Sequence, residues 1–152
     1  MKLFGIYDIF ILLRLVKVST HYYLNKYMKR VSFDIEFIFK ASPAILYQFI
    51  TTPSCLVRWF CDAVDINEEV YTFSWQGADE DAEMIDDIEE ERIRFKWADS
   101  DDEEYLEFRM YKSDVTNETV LEITDFCDED EVNEQKELWG SQIRTLQIEC
   151  GG

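Results

Sequence analysis

Glycine, proline and histidine are all scarce in this chain of 152 residues, which contains 5 glycines, 2 prolines and 1 histidine. Two of the glycines end the chain, and only Gly77 and Gly140 lie inside its main part. No Gly-x-Gly-x-x-Gly or Gly-x-x-x-x-Gly-Lys motif is present, which argues against the common nucleotide-binding folds. The single histidine is His21, so a domain that begins after it has no histidine for Ser-His-Asp or Cys-His catalysis.

Basic residues are also few, with 15 Lys and Arg against 33 Asp and Glu and a net charge of −18. Residues 1–30 carry six bases and one acid (net +5), whereas residues 31–152 carry nine bases and 32 acids (net −23). So acidic a surface repels phosphate backbones, and we expect no nucleic-acid partner. The abrupt change of the net charge from positive to negative predicts a basic, apolar N-terminal extension over 1–27 and a separate domain over 28–152.

The extension has three interpretations. We favour Met28 as the native start, with 1–27 not part of the native protein, because Met28 leads directly into a well-patterned strand. Alternatively, the extension is a basic amphipathic helix that touches a membrane surface, or a degenerate signal or anchor. Its apolar run, Ile9 to Leu13, is bracketed by Asp8 and Arg14 and is far shorter than the ~20 residues of a membrane span. We therefore expect membrane contact only if the extension is real.

The domain begins with a strand and two short helices. Residues 31–41 alternate between apolar and polar side chains, which predicts a half-buried strand with Phe33 and Phe39 on its inner face. Ser42-Pro43 and Thr52-Pro53 each offer a helix cap followed by a first-turn proline. These pairs predict helices that end near Ile50 and Phe60.

Six strands and a long helix are predicted after these helices. Strands are expected at 63–66, 70–76, 81–88, 92–97, 105–111 and 119–126, with a bulge near Ile85 in the third of them. The acidic run at 128–131 favours a helix N-terminus. An apolar stripe then follows at helical spacing, from Val132 through Trp139 to Cys150. We interpret Gly140, in mid-helix, as a close approach of the helix backbone to the sheet.

This order predicts an α+β helix-grip fold: a curved antiparallel sheet of about seven strands, two short helices after the first strand, and one long C-terminal helix that covers the sheet. The sequence resembles the START-like, polyketide-cyclase-related superfamily (SRPBCC), and within it the branch named for the activator of the heat-shock chaperone ATPase. The resemblance covers about 31–149. It rests on these segments: 41–43 with 46–47 and 49–51, Pro53 with Leu56 and 59–60, 73–75, 92–97, 120–124, and Trp139 with Ile143 and Leu146. One departure is Asn117-Glu118, which replaces the branch's common Gly-Gly.

The resemblance implies a shape and a cavity, and no catalytic motif. Members of the superfamily bind lipids, sterols, polyketides or hormones, and others bind proteins. We therefore predict that a small hydrophobic molecule is held between sheet and long helix, with Tyr71 or Tyr105 as possible hydrogen-bond donors. An ordinary packed core is the competing interpretation of the same residues. The residues predicted to contact the ligand are Trp59, Phe73, Trp75, Phe95, Trp97, Phe108, Trp139 and Ile143.

Other potentially reactive groups lack the spacing that chemistry requires. The acidic runs at 79–91 and 99–104 do not match an EF-hand, because positions 6 and 12 counted from Asp99 are Glu104 and Met110. The four cysteines have no Cys-x-x-Cys spacing, so we expect no metal or cofactor, and reduced thiols in the cytoplasm. The only basic stripe, at Arg92, Arg94 and Lys96, predicts cross-strand ion pairs with acids such as Glu107.

We therefore expect a non-catalytic binding protein. The main alternative is a protein-interaction or co-chaperone-like module that uses the acidic surface to bind a protein partner. A cyclase- or hydratase-like enzyme with cavity carboxylates is a third possibility.

Overall fold

The computed structural model describes residues 29–151, and the predicted extension over 1–27 lies outside them. The described chain contains seven strands and three α-helices in the order β, two α, six β, α. The strands are β1 (Arg30–Phe39), β2 (Ala63–Asn67), β3 (Val70–Trp75), β4 (Ala78–Ile88), β5 (Arg92–Trp97), β6 (Leu106–Lys112) and β7 (Thr119–Asp128). The helices are α1 (Pro43–Thr51), α2 (Pro53–Leu56) and α3 (Val132–Glu149), with a single 3-10 turn at Glu129–Glu131 before α3.

All seven strands form one antiparallel sheet in the order β1-β7-β6-β5-β4-β3-β2. Successive strands from β2 to β7 are neighbours, and β1 closes the arrangement by pairing along its whole length with β7. The long helix α3 packs against β1 and β7. This is the α+β helix-grip fold that the sequence predicts, with α1 and α2 placed between β1 and β2.

The sheet has an apolar inner face and a charged outer face because its strands alternate. Opposite residues across a ladder point to the same side, so Ile93, Phe108, Ile123 and Ile35 form one row across four strands of the inner face. The first three of these are fully buried. In the described residues, no helix is long and apolar enough to cross a membrane.

The outer face carries the predicted basic stripe. Arg94 pairs with Glu107 on the neighbouring strand, and Arg92 contacts Asp86 at 2.7 Å. Lys96 pairs with Asp102 at 3.0 Å. The predicted cross-strand ion pair with Glu107 is therefore confirmed, and Glu107 is itself buried beneath the arginine side chains.

The first helix begins as the sequence predicts, whereas the second is shorter. Ser42 accepts a hydrogen bond from the Ile45 N–H at 3.3 Å and Pro43 opens α1. The helix predicted to reach Phe60 ends at Leu56 and continues as hydrogen-bonded turns. The Thr52 side chain does not cap α2, and its N–H bonds to the Gln48 carbonyl at the end of α1. Thr52 therefore ends α1 and precedes the first residue of α2, and α2 is only four residues long.

A bulge in β4 changes which side chains face inward. Pairing with β5 shifts between Met84 and Asp86, so the extra residue is Ile85, where the sequence predicts a bulge. After the bulge, Asp86 lies opposite Arg94 on the outer face, and Asp87 lies opposite Ile93 on the inner face. The bulge therefore places the Asp87 carboxylate on the largely apolar inner face.

Candidate ligand-binding site

The inner wall of the site is built by aromatic residues from β3, β5 and β6. Phe73 lies at the centre, with ring centroids 5.8 Å from Trp75, 5.9 Å from Phe95 and 5.7 Å from Trp97. Alternation along each strand brings these rings to one face, because every second residue of β3 and β5 points inward. All four are buried.

The opposite side is formed by α3 and by the turn after α2. The Trp139 ring from α3 lies edge-on to Phe108 at 5.8 Å, and Trp59 meets the same phenylalanine at 6.3 Å. Ile143 is fully buried one turn further along α3. All eight predicted contact residues therefore lie in one hydrophobic core, between the sheet and the helices.

Phe60 joins the two halves of this aromatic cluster. Its ring lies 5.2 Å from Trp59, 5.0 Å from Phe73 and 5.5 Å from Trp75. Edge-on and tilted ring pairs at these distances add stabilisation to the burial of the rings. The predicted contact set omits Phe60. The sequence feature that could have identified Phe60 is its position directly after Trp59, at the predicted end of the second helix.

Each of three tryptophans is fixed by a hydrogen bond from its indole N–H. Trp59 donates to the Phe49 carbonyl at 2.8 Å and Trp75 donates to the Phe60 carbonyl at 2.7 Å. Trp139 donates to the Asp125 carboxylate at 2.9 Å. These bonds hold the indole planes in place, so the cluster has a defined shape.

Two buried polar side chains border the cluster, and the predicted contact set includes neither. Gln142 on α3 donates to the carbonyls of Trp59 at 2.9 Å and Phe60 at 3.3 Å, which ties α3 to the turn after α2. Asp125 on β7 accepts from Trp139 and from the Phe126 N–H. Gln142 lies three residues after Trp139, and Asp125 continues the inner alternation of β7, so helical and strand periodicity could have identified both.

The two tyrosines predicted as donors lie on different faces. Tyr71 is buried on the inner face, 5.1 Å from Phe95, and burial is the main cause that raises the pKa of its phenol. Tyr105 lies against Phe126, which belongs to the outer face, and beneath the Arg94 guanidinium at 4.5 Å. The prediction for Tyr105 is wrong, because its neighbour Leu106 takes the inward position on β6.

The family model described as a START-like superfamily domain matches residues 27–152 of this chain. The chain belongs to the START-like superfamily. BfR322 from Bacteroides fragilis, solved by solution NMR, is 36% identical over 81% of this chain and 93% of its own, with a TM-score of 0.60. No curated protein matches the chain significantly.

Two more distant structures share the fold. The Aha1 dimer from Colwellia psychrerythraea has a TM-score of 0.67 at 18% identity, over 79% of this chain and 96% of its own. CalU16 from Micromonospora echinospora has a TM-score of 0.60 at 19% identity, over 78% of this chain and 75% of its own. The START-like resemblance that the sequence predicts is therefore confirmed, and the Aha1 dimer shares the fold of this chain.

Proposed function

We propose that this START-like domain binds a small hydrophobic molecule between the inner face of the sheet and α3, without catalysing a reaction on it. The observation that carries the proposal is the aromatic cluster, in which the strand rings pack around Phe73 and Phe108 meets Trp139 and Trp59 across the core. Ligand sites of proteins are mainly apolar and aromatic, with a few fixed polar groups. Asp125 and Gln142 are such groups at its border.

The state of the titratable groups at the core favours binding over catalysis. Cys61, beside the cluster, is held as a neutral thiol because burial raises its pKa to about 12. A thiol is a poor nucleophile until it ionises. Both oxygens of Asp125 already accept hydrogen bonds from Phe126 and Trp139, which suits a structural carboxylate better than a general base.

The first test is native mass spectrometry of the protein purified from its own host. We expect an excess mass of a few hundred daltons, on the order expected for a small ligand, which disappears on denaturation. A bare mass under native conditions would count against the proposal. Any released compound would be identified directly from the same sample.

Tryptophan fluorescence gives a second test, because all four tryptophans of the chain belong to the cluster. The added ligand is the compound released from the host protein or, failing that, decanol. We expect Ile143→Phe, which adds volume between α3 and the sheet, to weaken the ligand affinity about 5- to 150-fold, since overpacking a filled space costs about 1–3 kcal/mol. Ile148→Phe is the matched control, because Ile148 lies on the same helix but is 79% exposed.

A protein-interaction or co-chaperone-like role is the second candidate. Its specific support is the strong net charge of −23 over 31–152, which a basic partner surface would complement. Salt separates the two proposals. Capture of a partner through this surface should fall steeply as the salt concentration rises from about 0.05 to 0.5 M, because the Debye length shortens and exposed charges are screened. Binding of an apolar molecule should change little over the same range.

A further inference from the structure

Asp87 is an isolated carboxylate on the inner face of the sheet. The bulge in β4 places it opposite the fully buried Ile93, in the row that leads across the inner face. Among the described residues, no Lys or Arg forms an ion pair with Asp87. Its neighbour Asp86, by contrast, is paired with Arg92 on the outer face.

Tyr47 on α1 fixes the Asp87 carboxylate through an exposed hydrogen bond. Its hydroxyl donates to the two carboxylate oxygens at 2.9 and 3.1 Å, which ties α1 to β4. An ionised carboxylate has about four acceptor positions, so this single hydroxyl leaves most of them available. Asp87 is exposed, and these positions can be reached from solvent.

Tyr71, a ring of the aromatic cluster, lies within electrostatic range of this carboxylate. Its ring lies 5.7 Å from Phe73 and 5.1 Å from Phe95, so it belongs to the inner wall. The negative charge of Asp87 is the second cause, after burial, that raises the pKa of the Tyr71 phenol. Asp87, Tyr47 and Tyr71, which we call the polar mouth, therefore extend from solvent to the edge of the apolar interior.

We propose that the polar mouth selects the head group of the bound molecule: Asp87 accepts hydrogen bonds from a protonated amine at one end of an apolar chain that lies against the aromatic cluster. The inference rests on the proposed function and adds the ligand class to it. An unpaired carboxylate repels a carboxylate or phosphate head, and the net charge of −18 acts in the same direction. The ligand class is thus cationic amphiphiles, with neutral alcohols bound less tightly and fatty acids excluded.

Three probes with the same chain test this proposal: decylamine, decanol and decanoate, titrated below their micelle concentrations at pH 7 and followed by tryptophan fluorescence. At this pH the amine is protonated and the acid is ionised. We expect the amine to bind about tenfold more tightly than the alcohol, because hydrogen bonds to charged groups are the stronger ones. Decanoate should bind more weakly than the alcohol.

Asp87→Asn and Asp86→Asn form the decisive pair, since each removes one negative charge and the two residues face opposite sides of the sheet. Asp87→Asn should remove the preference for the amine over decanol, whereas Asp86→Asn should keep the preference. Equal losses in both variants would assign the preference to net charge and overturn the inference. Circular dichroism establishes that both variants are folded.

The remaining outcomes separate the inference from the function on which it rests. Equal binding of all three probes, or tighter binding of decanoate, overturns the selection by Asp87 and leaves hydrophobic binding standing. Binding of decanol without binding of the amine does the same. Failure of all three probes to bind, together with a bare native mass, overturns both.

Discussion

The indole N–H of Trp139 donates to the Asp125 carboxylate at 2.9 Å and so joins α3 to β7. Both side chains are buried, and the second oxygen of Asp125 accepts from the Phe126 N–H at 2.8 Å. The long helix is therefore positioned over the sheet by a directional contact as well as by apolar packing.

Asp125→Ala should destabilise the protein by about 2–3 kcal/mol, because it removes a charge-assisted acceptor from a buried donor. The measurement is urea unfolding. Asp34→Ala is the matched control: Asp34 lies on the neighbouring strand, accepts from the Thr124 hydroxyl at 2.7 Å, and is exposed. We expect the control to cost less than about 1 kcal/mol. Equal losses would contradict a special role for the Asp125 contact.

Thr119 is fully buried at the start of β7, and its hydroxyl has no hydrogen-bond partner among the described residues. Thr119→Val keeps the branched shape and removes the hydroxyl. We expect it to stabilise the fold by about 1 kcal/mol, since burying an unpaired polar group carries a cost of this order. Thermal unfolding measures the change. A lower midpoint for Thr119→Val than for the parent protein would show that the Thr119 hydroxyl is hydrogen-bonded in solution.

Gly140 lies in α3, where the sequence predicts a close approach to the sheet, and that prediction is wrong. A Cβ added at this position meets no described atom within 4 Å apart from its chain neighbours and the backbone of its own helix. Gly140→Ala should therefore stabilise the protein by about 0.5–1 kcal/mol through helix propensity. Gly77→Ala is the opposing control, because Gly77 has φ +81° and the same change should be unfavourable there.

The fold could be predicted from the sequence because the strands carry strict alternation and both prolines begin helices. The bulge at Ile85 was predictable for the same reason, since it interrupts the alternation of β4. The length of α2 was not predictable from the sequence, because Thr52 lies between two helices. Only the packed structure shows that the Thr52 N–H donates to the Gln48 carbonyl at the end of α1.

The candidate site was predictable as a set of inward-facing positions, whereas Asp87 at its exposed edge was not. Periodicity assigns Phe73 and Trp139 to inner faces, yet it gives no means to recognise Asp87 among nine acids at 79–91. The one-residue offset of the bulge decides that Asp87 and not Asp86 faces inward. Tyr105 directly precedes Leu106, which takes the inward position at the start of β6, so strand alternation places Tyr105 on the outer side.

Glu68 occupies a left-handed backbone conformation, with φ +56°, in the turn between β2 and β3. Glycine adopts this conformation without the steric cost that a side chain incurs. Glu68→Gly should therefore leave the protein about 1 kcal/mol more stable than Glu69→Gly. The neighbouring Glu69 is also exposed, so both variants lose the same charge and gain the same unfolded-state freedom. Equal stabilities in urea would contradict the assignment of strain to Glu68.

Cys61 makes stability depend on alkaline pH. Its side chain is buried, and burial, followed by the charge of Asp62, raises the pKa of the thiol from 9.0 to about 12. A pKa raised on folding gives stability that is complete below the unfolded value, near pH 9, and is lost as pH rises through the folded value, near pH 12.

Between pH 7 and pH 10 the Cys61 contribution should fall by about 1 kcal/mol, because one unit of pKa shift corresponds to about 1.4 kcal/mol. Cys61→Ala should have a lower free energy of unfolding than the parent protein at pH 7. Between pH 7 and pH 10, however, the free energy of unfolding of the variant should fall by about 1 kcal/mol less than that of the parent. Urea unfolding of both proteins at the two pH values measures the difference. If the two proteins lose the same free energy, the thiol ionises as readily in the folded chain as in the unfolded one, and Cys61 would then become a reactive group at the border of the aromatic cluster.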